Sequence, residues 1–222
     1  MLHTISQRWP QLQELMFHLP YVSDSNMLRL LGEFERLRKL HIQGFVAGYL
    51  YERLEPLPSV RELVLSLQWS VDTTGSAYNL SLFLPNVQAL DISDIRKYGN
   101  EVLRGICENL TTLRHLDVNK LAHKNEYNMD AFNRFENLVH LEELSLRCMK
   151  IRLGALPRNN VRRLKLSHVE LLDINRVEHT WQIAPKMVDI FPELQFLEIT
   201  GKLQRHIELI RQQFSACVIH CE

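Results

Sequence analysis

The chain has 222 residues, 45% of them hydrophobic, and its 26 basic and 26 acidic side chains balance. That apolar content suffices for a continuous core and argues against disorder, and the charge balance argues against a broad nucleic-acid or membrane-binding surface. No apolar run approaches transmembrane length, the opening MLHTISQRWPQLQEL lacks a signal-peptide layout, and Cys107, Cys148, Cys217 and Cys221 are too few and scattered for a disulfide framework. The expected location is therefore intracellular, cytoplasmic or nuclear.

Taken from the N-terminus, one pattern keeps returning: apolar-x-x-apolar-x-apolar. It reads LQELMF from Leu12, LRKLHI from Leu37, VRELVL from Val60 and VQALDI from Val87. It continues as LRHLDV from Leu113, LEELSL from Leu141, VRRLKL from Val161 and LQFLEI from Leu194, with a degenerate FSACVI from Phe214. Successive starts are 25, 23, 27, 26, 28, 20, 33 and 20 residues apart. A period of twenty-odd residues is the signature of a solenoid. Each copy reads as a strand: in LEELSL, Leu144 and Leu146 point to one face, and Glu143 and Ser145 to the other. Buried parallel strands read as unbroken apolar runs, so the polar residue between the last two apolar positions predicts a sheet with one open face.

Between copies the chain must cross over, in the right-handed sense. After the first copy, Ser23, Asp24 and Ser25 offer N-cap oxygens to a helix whose Met27, Leu30, Leu31 and Phe34 share a face. A second short helix is predicted over 47–54, stopped before Pro56. Residues 76–84 are ambiguous between Thr74-Gly75 and Pro85. Asn100 is placed to cap a helix carrying Val102, Leu103 and Ile106. Asn128 or Asp130 is placed to cap one carrying Ala131, Phe132 and Phe135. Residues 149–160, with Gly154 and Pro157, read as a loop or 3-10 turn. A helix over about 185–190 and a last one over 203–213, with Leu203, Ile207 and Ile210 inward, complete the series.

The repeated segments and their spacing resemble the leucine-rich repeat family, whose units run about 20–29 residues and open with this strand. The resemblance covers the chain from Leu12 onward. It implies an α/β, right-handed horseshoe solenoid of about eight to nine repeats. The parallel sheet would line the concave face, with short helices and loops on the convex face. Residues 1–222 would form a single domain: 1–11 an incomplete N-terminal cap, repeats from about 12, and 203–222 a C-terminal helix and edge strand. Many members place Asn or Cys three residues beyond the last strand leucine. Here those positions hold Pro20, Phe45, Gln68, Ile95, Leu121, Met149, Val169 and Lys202, which points to an irregular member whose turns close by hydrophobic packing.

On the open face, the residue between the two inward apolar positions reads Met16, His41, Val64, Asp91, Asp117, Ser145, Lys165 and Glu198. The next outward position reads His18, Gln43, Ser66, Ser93, Asn119, Arg147, Ser167 and Thr200. Asp91 and Asp117 are expected to form an acidic patch, and Arg147, Arg163 and Lys165 a basic one two strands later. Such a bipolar strip would set the register of a protein partner with the opposite charge order. The bland alternative is ordinary solvated charges offsetting one another. Concave solenoid surfaces are general binding surfaces, so the candidate partner-binding residues are His41, Val64, Asp91, Asp117, Asn119, Ser145, Arg147, Arg163, Lys165 and Glu198.

No catalytic motif is visible: there is no HExxH, GxSxG, Walker A or GxGxxG. Asp91 and Asp117 lack a nucleophile or an enclosing pocket on an open sheet. Cys217, His220 and Cys221 lack the second ligand pair a zinc site needs, and the repeat register makes Cys217 a small buried core residue. Trp9, Trp69 and Trp181 are too dispersed for base stacking. No catalytic residue, metal or cofactor is expected, no enzyme, and no nucleic-acid or membrane partner.

Only eleven residues precede the first strand, with Ile5 and Trp9 as the expected cover, so the chain is expected to be the rear part of a longer or truncated product. Irregular intracellular repeats of this length resemble those of F-box proteins. The resemblance implies the substrate-recognition solenoid of a cullin-based (SCF) ubiquitin ligase. A Skp1-like adaptor would bind only through an upstream F-box, which these residues do not contain. A non-ligase scaffold, an inhibitor or the sensor fragment of an intracellular receptor stays open beside it.

Overall fold

The computed structural model describes residues 2–19, 30–44, 55–67, 76–92, 100–119, 134–171 and 183–221. The predicted helix over 47–54, the caps at 23–25 and at Asn128 and Asp130, and Ser93, Trp69 and Trp181 lie outside them.

Every copy of the six-residue pattern forms a strand. They are β1 (Glu14–Leu19), β2 (Lys39–Gly44), β3 (Glu62–Leu67), β4 (Ala89–Asp91), β5 (His115–Val118), β6 (Glu143–Arg147), β8 (Arg163–Ser167), β10 (Phe196–Thr200) and β11 (Val218–Cys221). All nine lie in one sheet, in the order of the chain, and each neighbouring pair is parallel. The register aligns like positions: Leu40 faces Leu63, Leu63 faces Leu90, and Leu144 faces Leu164. A two-stranded parallel pair, β7 (Lys150–Ile151) with β9 (Glu170–Leu171), sits beyond the ends of β6 and β8.

A repeated backbone device sets that register. The carbonyl of Gln13 accepts from both Arg38 and Lys39 N–H, that of Arg38 from Arg61 and Glu62, and that of Arg162 from Gln195 and Phe196, at 2.7–3.0 Å. Ahead of it sits a tight turn closed by an apolar residue, as in Leu37 N–H to Phe34 O, Val60 to Leu57, Leu113 to Leu110 and Leu141 to Leu138. Before β8 the side chain of Asn159 takes this part, its Oδ1 accepting the N–H of Val161 at 3.1 Å.

The crossovers put their apolar residues on one side of the sheet. The helices are α1 (Leu2–Arg8), α2 (Ser76–Phe83), α3 (Asn100–Asn109), α4 (Ile183–Ile190) and α5 (Ile207–Gln213), with 3-10 turns at Leu30–Glu33, Leu153–Ala155 and Gly201–His206. Leu31, Phe34, Leu80, Phe83, Leu103, Ile106, Met187 and Ile210 join the inward strand residues in one continuous buried cluster. Each fully buried aliphatic side chain there contributes about 1.5–3 kcal/mol, and β2, β3, β5, β6, β8 and β10 supply two apiece.

Several expectations are resolved or corrected here. The ambiguous stretch before Pro85 is the helix α2. The helix predicted from Pro185 begins at Ile183, with Pro185 in the first turn, where its missing N–H costs nothing. The last helix is broken into the Gly201–His206 turn and α5; Leu203 and Ile210 are buried, whereas Ile207 is only half-buried. At the N-terminus α1 docks on the Leu30–Glu33 turn, His3 Nδ1 lying 3.0 Å from the Glu33 carboxylate and Ser6 donating to it. Ile5 packs on the core but Trp9 is 54% exposed, so Trp9 is not part of the cover.

The last strand departs from the expected register. FSACVI was aligned with Phe214 as its first inward residue, which would set Cys217 opposite Leu197. Instead Leu197 faces Ile219, and Ile199 faces Cys221. Phe214 closes the preceding turn, its carbonyl accepting from Cys217 N–H at 3.0 Å, just as Phe191 does for Leu194. Cys217 is consequently half-buried rather than a core residue.

At the far end of the sheet, three successive repeats pass through left-handed backbone: Cys148 (φ 51°), His168 (φ 54°) and Gly201 (φ 80°). Each follows the last residue of β6, β8 or β10. Cys148 N–H donates to Ser167 O at 2.7 Å and His168 N–H to Thr200 O at 3.2 Å. Met149 and Val169, one residue on, are buried, so hydrophobic packing closes these two turns, while Lys202 at the same position is half-exposed or more.

Candidate binding face

The strand alternation that buries one face leaves the other to solvent. In β5, Leu116 and Val118 are buried while His115 and Asp117 are half-buried on the opposite side; β8 and β10 repeat the pattern. The register turns these outward residues into rows across the sheet. The central row reads Met16, His41, Val64, Asp91, Asp117, Ser145, Lys165, Glu198 and His220. The row before it reads Glu14, Lys39, Glu62, Ala89, His115, Glu143, Arg163, Phe196 and Val218.

All ten predicted partner-binding residues lie on or at the end of this face. Val64, Asp91, Asp117, Ser145, Arg147, Arg163 and Lys165 line a hollow of about 480 Å³ that runs from β2 to β8. His41, Asn119 and Glu198 lie outside it; His41 Nε2 instead hydrogen bonds Ser66 Oγ at 3.0 Å. The hollow follows from side-chain length. Its middle carries the short Val64, Ala89, Asp91, Asp117 and Ser145, and its flanks carry Lys39, Glu62, Glu143, Arg147, Arg163 and Lys165.

The expected acidic and basic patches are not separate. Arg147 reaches back across a strand to Asp117, Arg163 Nε is 3.2 Å from Glu143, and Lys165 Nζ is 3.2 Å from Glu198. Lys39 pairs with Glu62 at 3.3 Å, and His115 approaches Glu143 at the same distance. Each basic residue of the predicted patch thus sits against a carboxylate on a neighbouring strand. Exposed pairs of this kind contribute about 0–1 kcal/mol apiece, so they order the face more than they stabilise the fold.

Asp117 differs from the other carboxylates. Burial pushes its carboxyl above the ordinary aspartate value; Arg147 opposes the rise and neighbouring Asp91 adds to it. Arg147 Nη2 donates to Oδ2, and Arg147 Nε reaches Ser145 Oγ at 3.4 Å. Oδ1 is shielded from solvent and makes no hydrogen bond among the described residues. Toward β11 the face becomes aromatic: the Arg163 guanidinium lies 5.0 Å from the Phe196 ring centre, and Phe196 lies 5.3 Å from the His220 ring.

From the row before the central one the sequence reading put Glu143 on the open face but took only Arg163 as a candidate binding residue. The whole row was readable, because the third residue of each six-residue copy must share the fifth residue's face. Ala89 is the most informative omission, since its side chain is only a methyl group and leaves the middle of the hollow open.

Among the described residues no group of three His, Cys, Asp or Glu side chains is placed to hold a metal ion, and no helix is long and apolar enough to cross a membrane. Cys217, whose thiol is pushed up by burial, and exposed Cys221 flank His220, which is engaged with Phe196. No protein-family model matches the chain, and no curated protein matches it in sequence.

Proposed function

We propose that the chain is a protein-binding module that engages its partner on the open face of the sheet, and that it has no catalytic activity of its own. The observation that carries this reading is the hollow on the side of the sheet opposite the core. A surface with a floor of short side chains, two of them carboxylates, a charged rim and a fixed strand register suits recognition of an extended or helical protein segment. Among the described residues the hydroxyl beside Asp117, that of Ser145, accepts from Arg147 Nε, an arrangement that does not activate it as a nucleophile.

The fold is read as a right-handed leucine-rich-repeat solenoid of eight to nine units, supported by the match between pattern copies and strands in order. The further role, substrate recognition within an F-box-type ubiquitin ligase in the cytoplasm or nucleus, rests on the likeness of repeat length and irregularity alone. A non-ligase scaffold, inhibitor or receptor-sensor role uses the same face.

Quantitative capture from cell extract tests the face directly, comparing the wild-type chain with Ala89→Arg, which fills the hollow, and Arg104→Glu, on the exposed side of α3. Partners that depend on the face disappear with Ala89→Arg and persist with Arg104→Glu. Partners unchanged by Ala89→Arg, or lost with Arg104→Glu, overturn the reading. Co-purification of a ligase adaptor with a longer gene product, but not with this chain, separates the ligase role from the others.

A further inference from the structure

Arg147, one of the long side chains lining the hollow, reaches Asp117 on the neighbouring strand. It leaves the end of β6, passes Ser145, and delivers a guanidinium nitrogen to Asp117, thirty residues earlier on β5. The contact is one-pronged: Nη2 serves Oδ2, the Ser145 hydroxyl also supports the ionised carboxylate, and Oδ1 is shielded with no hydrogen bond among the described residues. A shielded carboxylate oxygen with no hydrogen bond is unfavourable, whereas a guanidinium can serve both oxygens of a carboxylate at once. The present arrangement is therefore an incomplete form of a contact the site is chemically suited to make.

The lining beside it fits the rest of the same side chain. Val64 and Ala89 offer apolar surface next to Asp91 and Asp117. An arginine has a three-carbon aliphatic stem that packs on such surface while its head seeks a carboxylate. The Arg147 side chain is 44% exposed although that of Asp117 is only 22% exposed, so the guanidinium can swing into solvent while its carboxylate partner stays in place. An incoming guanidinium replaces the charge-assisted hydrogen bond that Arg147 gives up.

We infer that the hollow is the seat for an arginine side chain of the protein partner, and that Arg147 is an internal stand-in that the partner's arginine displaces from Asp117. This deepens the proposed function and rests on it. Arg147 then acts as a competitor of the partner, opposite to the role of a residue that contributes binding contacts. The stem lies over Ala89 and Val64, and the head lies over Asp117 with Asp91 alongside.

The test is an amide NMR titration of the full chain with acetyl-Ala-Ala-Arg-Ala-Ala-amide, compared with the same peptide carrying neutral citrulline in place of arginine. The arginine peptide is expected to give saturable shifts at residues 89–91, 116–118 and 145–147, with the citrulline peptide weaker by about tenfold or more. Arg147→Ala is expected to tighten the arginine peptide by about threefold or more, since the competitor is gone, and Asp117→Asn to abolish the response. Equal binding of both peptides, weaker binding by Arg147→Ala, or no saturable shift in either protein overturns the inference. The citrulline comparison needs no mutation, so it decides even if a variant misfolds. Ala89→Arg abolishing partner capture while the arginine peptide fails to bind would retire the arginine seat and leave the binding face standing.

Discussion

Replacing Gly201 with alanine tests whether the left-handed column at the ends of β6, β8 and β10 is sterically tight. Gly201 has φ 80°, and a Cβ placed there lies 2.9 Å from His168 Nδ1 and 3.2 Å from His168 Cα. Left-handed backbone costs an alanine about 1–2 kcal/mol. Forcing a methyl against a ring atom and a backbone carbon adds about 1 kcal/mol, at the low end for overpacking because the imidazole is exposed and can turn. Gly201→Ala should therefore lower stability by about 2–3 kcal/mol. His168→Gly removes the ring and relieves that residue's own left-handed strain. In its background the same alanine should keep the backbone part and its contact with the Cα of residue 168 and lose only the ring clash, leaving a coupling of about 0.5–1 kcal/mol in the double-mutant cycle. Urea denaturation followed by circular dichroism measures all four proteins. A cost for Gly201→Ala below about 0.5 kcal/mol, or the same cost in both backgrounds, refutes the steric argument.

Leu144→Ala and Leu164→Ala, both at 0–1% exposure between neighbouring leucines, should each cost about 2–5 kcal/mol. Half-buried Ile219→Ala at the last strand should cost less than either, and equal costs in urea melts would mean that burial does not set the energetics of the repeats. For Asp117, a carboxyl raised in the folded state binds its proton more tightly there than in the unfolded chain. Its contribution to stability is therefore favourable below the ordinary aspartate value and declines as pH rises toward the raised one. The urea midpoint of wild type minus that of Asp117→Asn should fall across that window, and a rise there would reverse the sign assigned to burial. Cys107 is fully buried, with its thiol pushed up to about 12 by desolvation. Iodoacetamide at mildly alkaline pH should label exposed Cys148 and Cys221 in the folded protein and Cys107 only after unfolding; mass spectrometry of the digested protein distinguishes these outcomes.

The main sheet was legible because its signal is parity. An apolar residue at every second position fixes which face a strand buries, and a one-residue slip would turn every side chain over. That is why the inward pairs from Leu40/Ile42 to Leu197/Ile199 all fall as the pattern places them. Parity says nothing about slips of two. At β11, where one neighbour instead of two holds the strand, the register moved by that amount with the same face still inward. The signal that would have found it is Phe214 matching Phe191 as the closer of the turn, a feature outside the six-residue pattern. Residues 76–84 were undecidable for a related reason: their apolar residues lie all round the helix, Leu80 and Phe83 buried but Tyr78 and Leu82 exposed, so no stripe marks the period.

The binding face was legible by identity and illegible by pairing. Period-two reading placed Asp91, Asp117, Arg147, Arg163 and Lys165 on one surface, where they are. It treated charges of one sign as a patch because they were near in row order. Side-chain reach decides otherwise: an arginine extends far enough to cross a strand spacing of about 4.8 Å and seek a carboxylate diagonally, as Arg147 does with Asp117. Long side chains therefore neutralise one another across the flanks, and the distinctive chemistry is left where side chains are short. Val64, Ala89, Asp117 and Ser145 are individually unremarkable residues in sequence. Stacked on adjacent strands they leave a hollow beside a carboxylate whose hydrogen bonding is incomplete among the described residues, which is what the proposed arginine seat rests on.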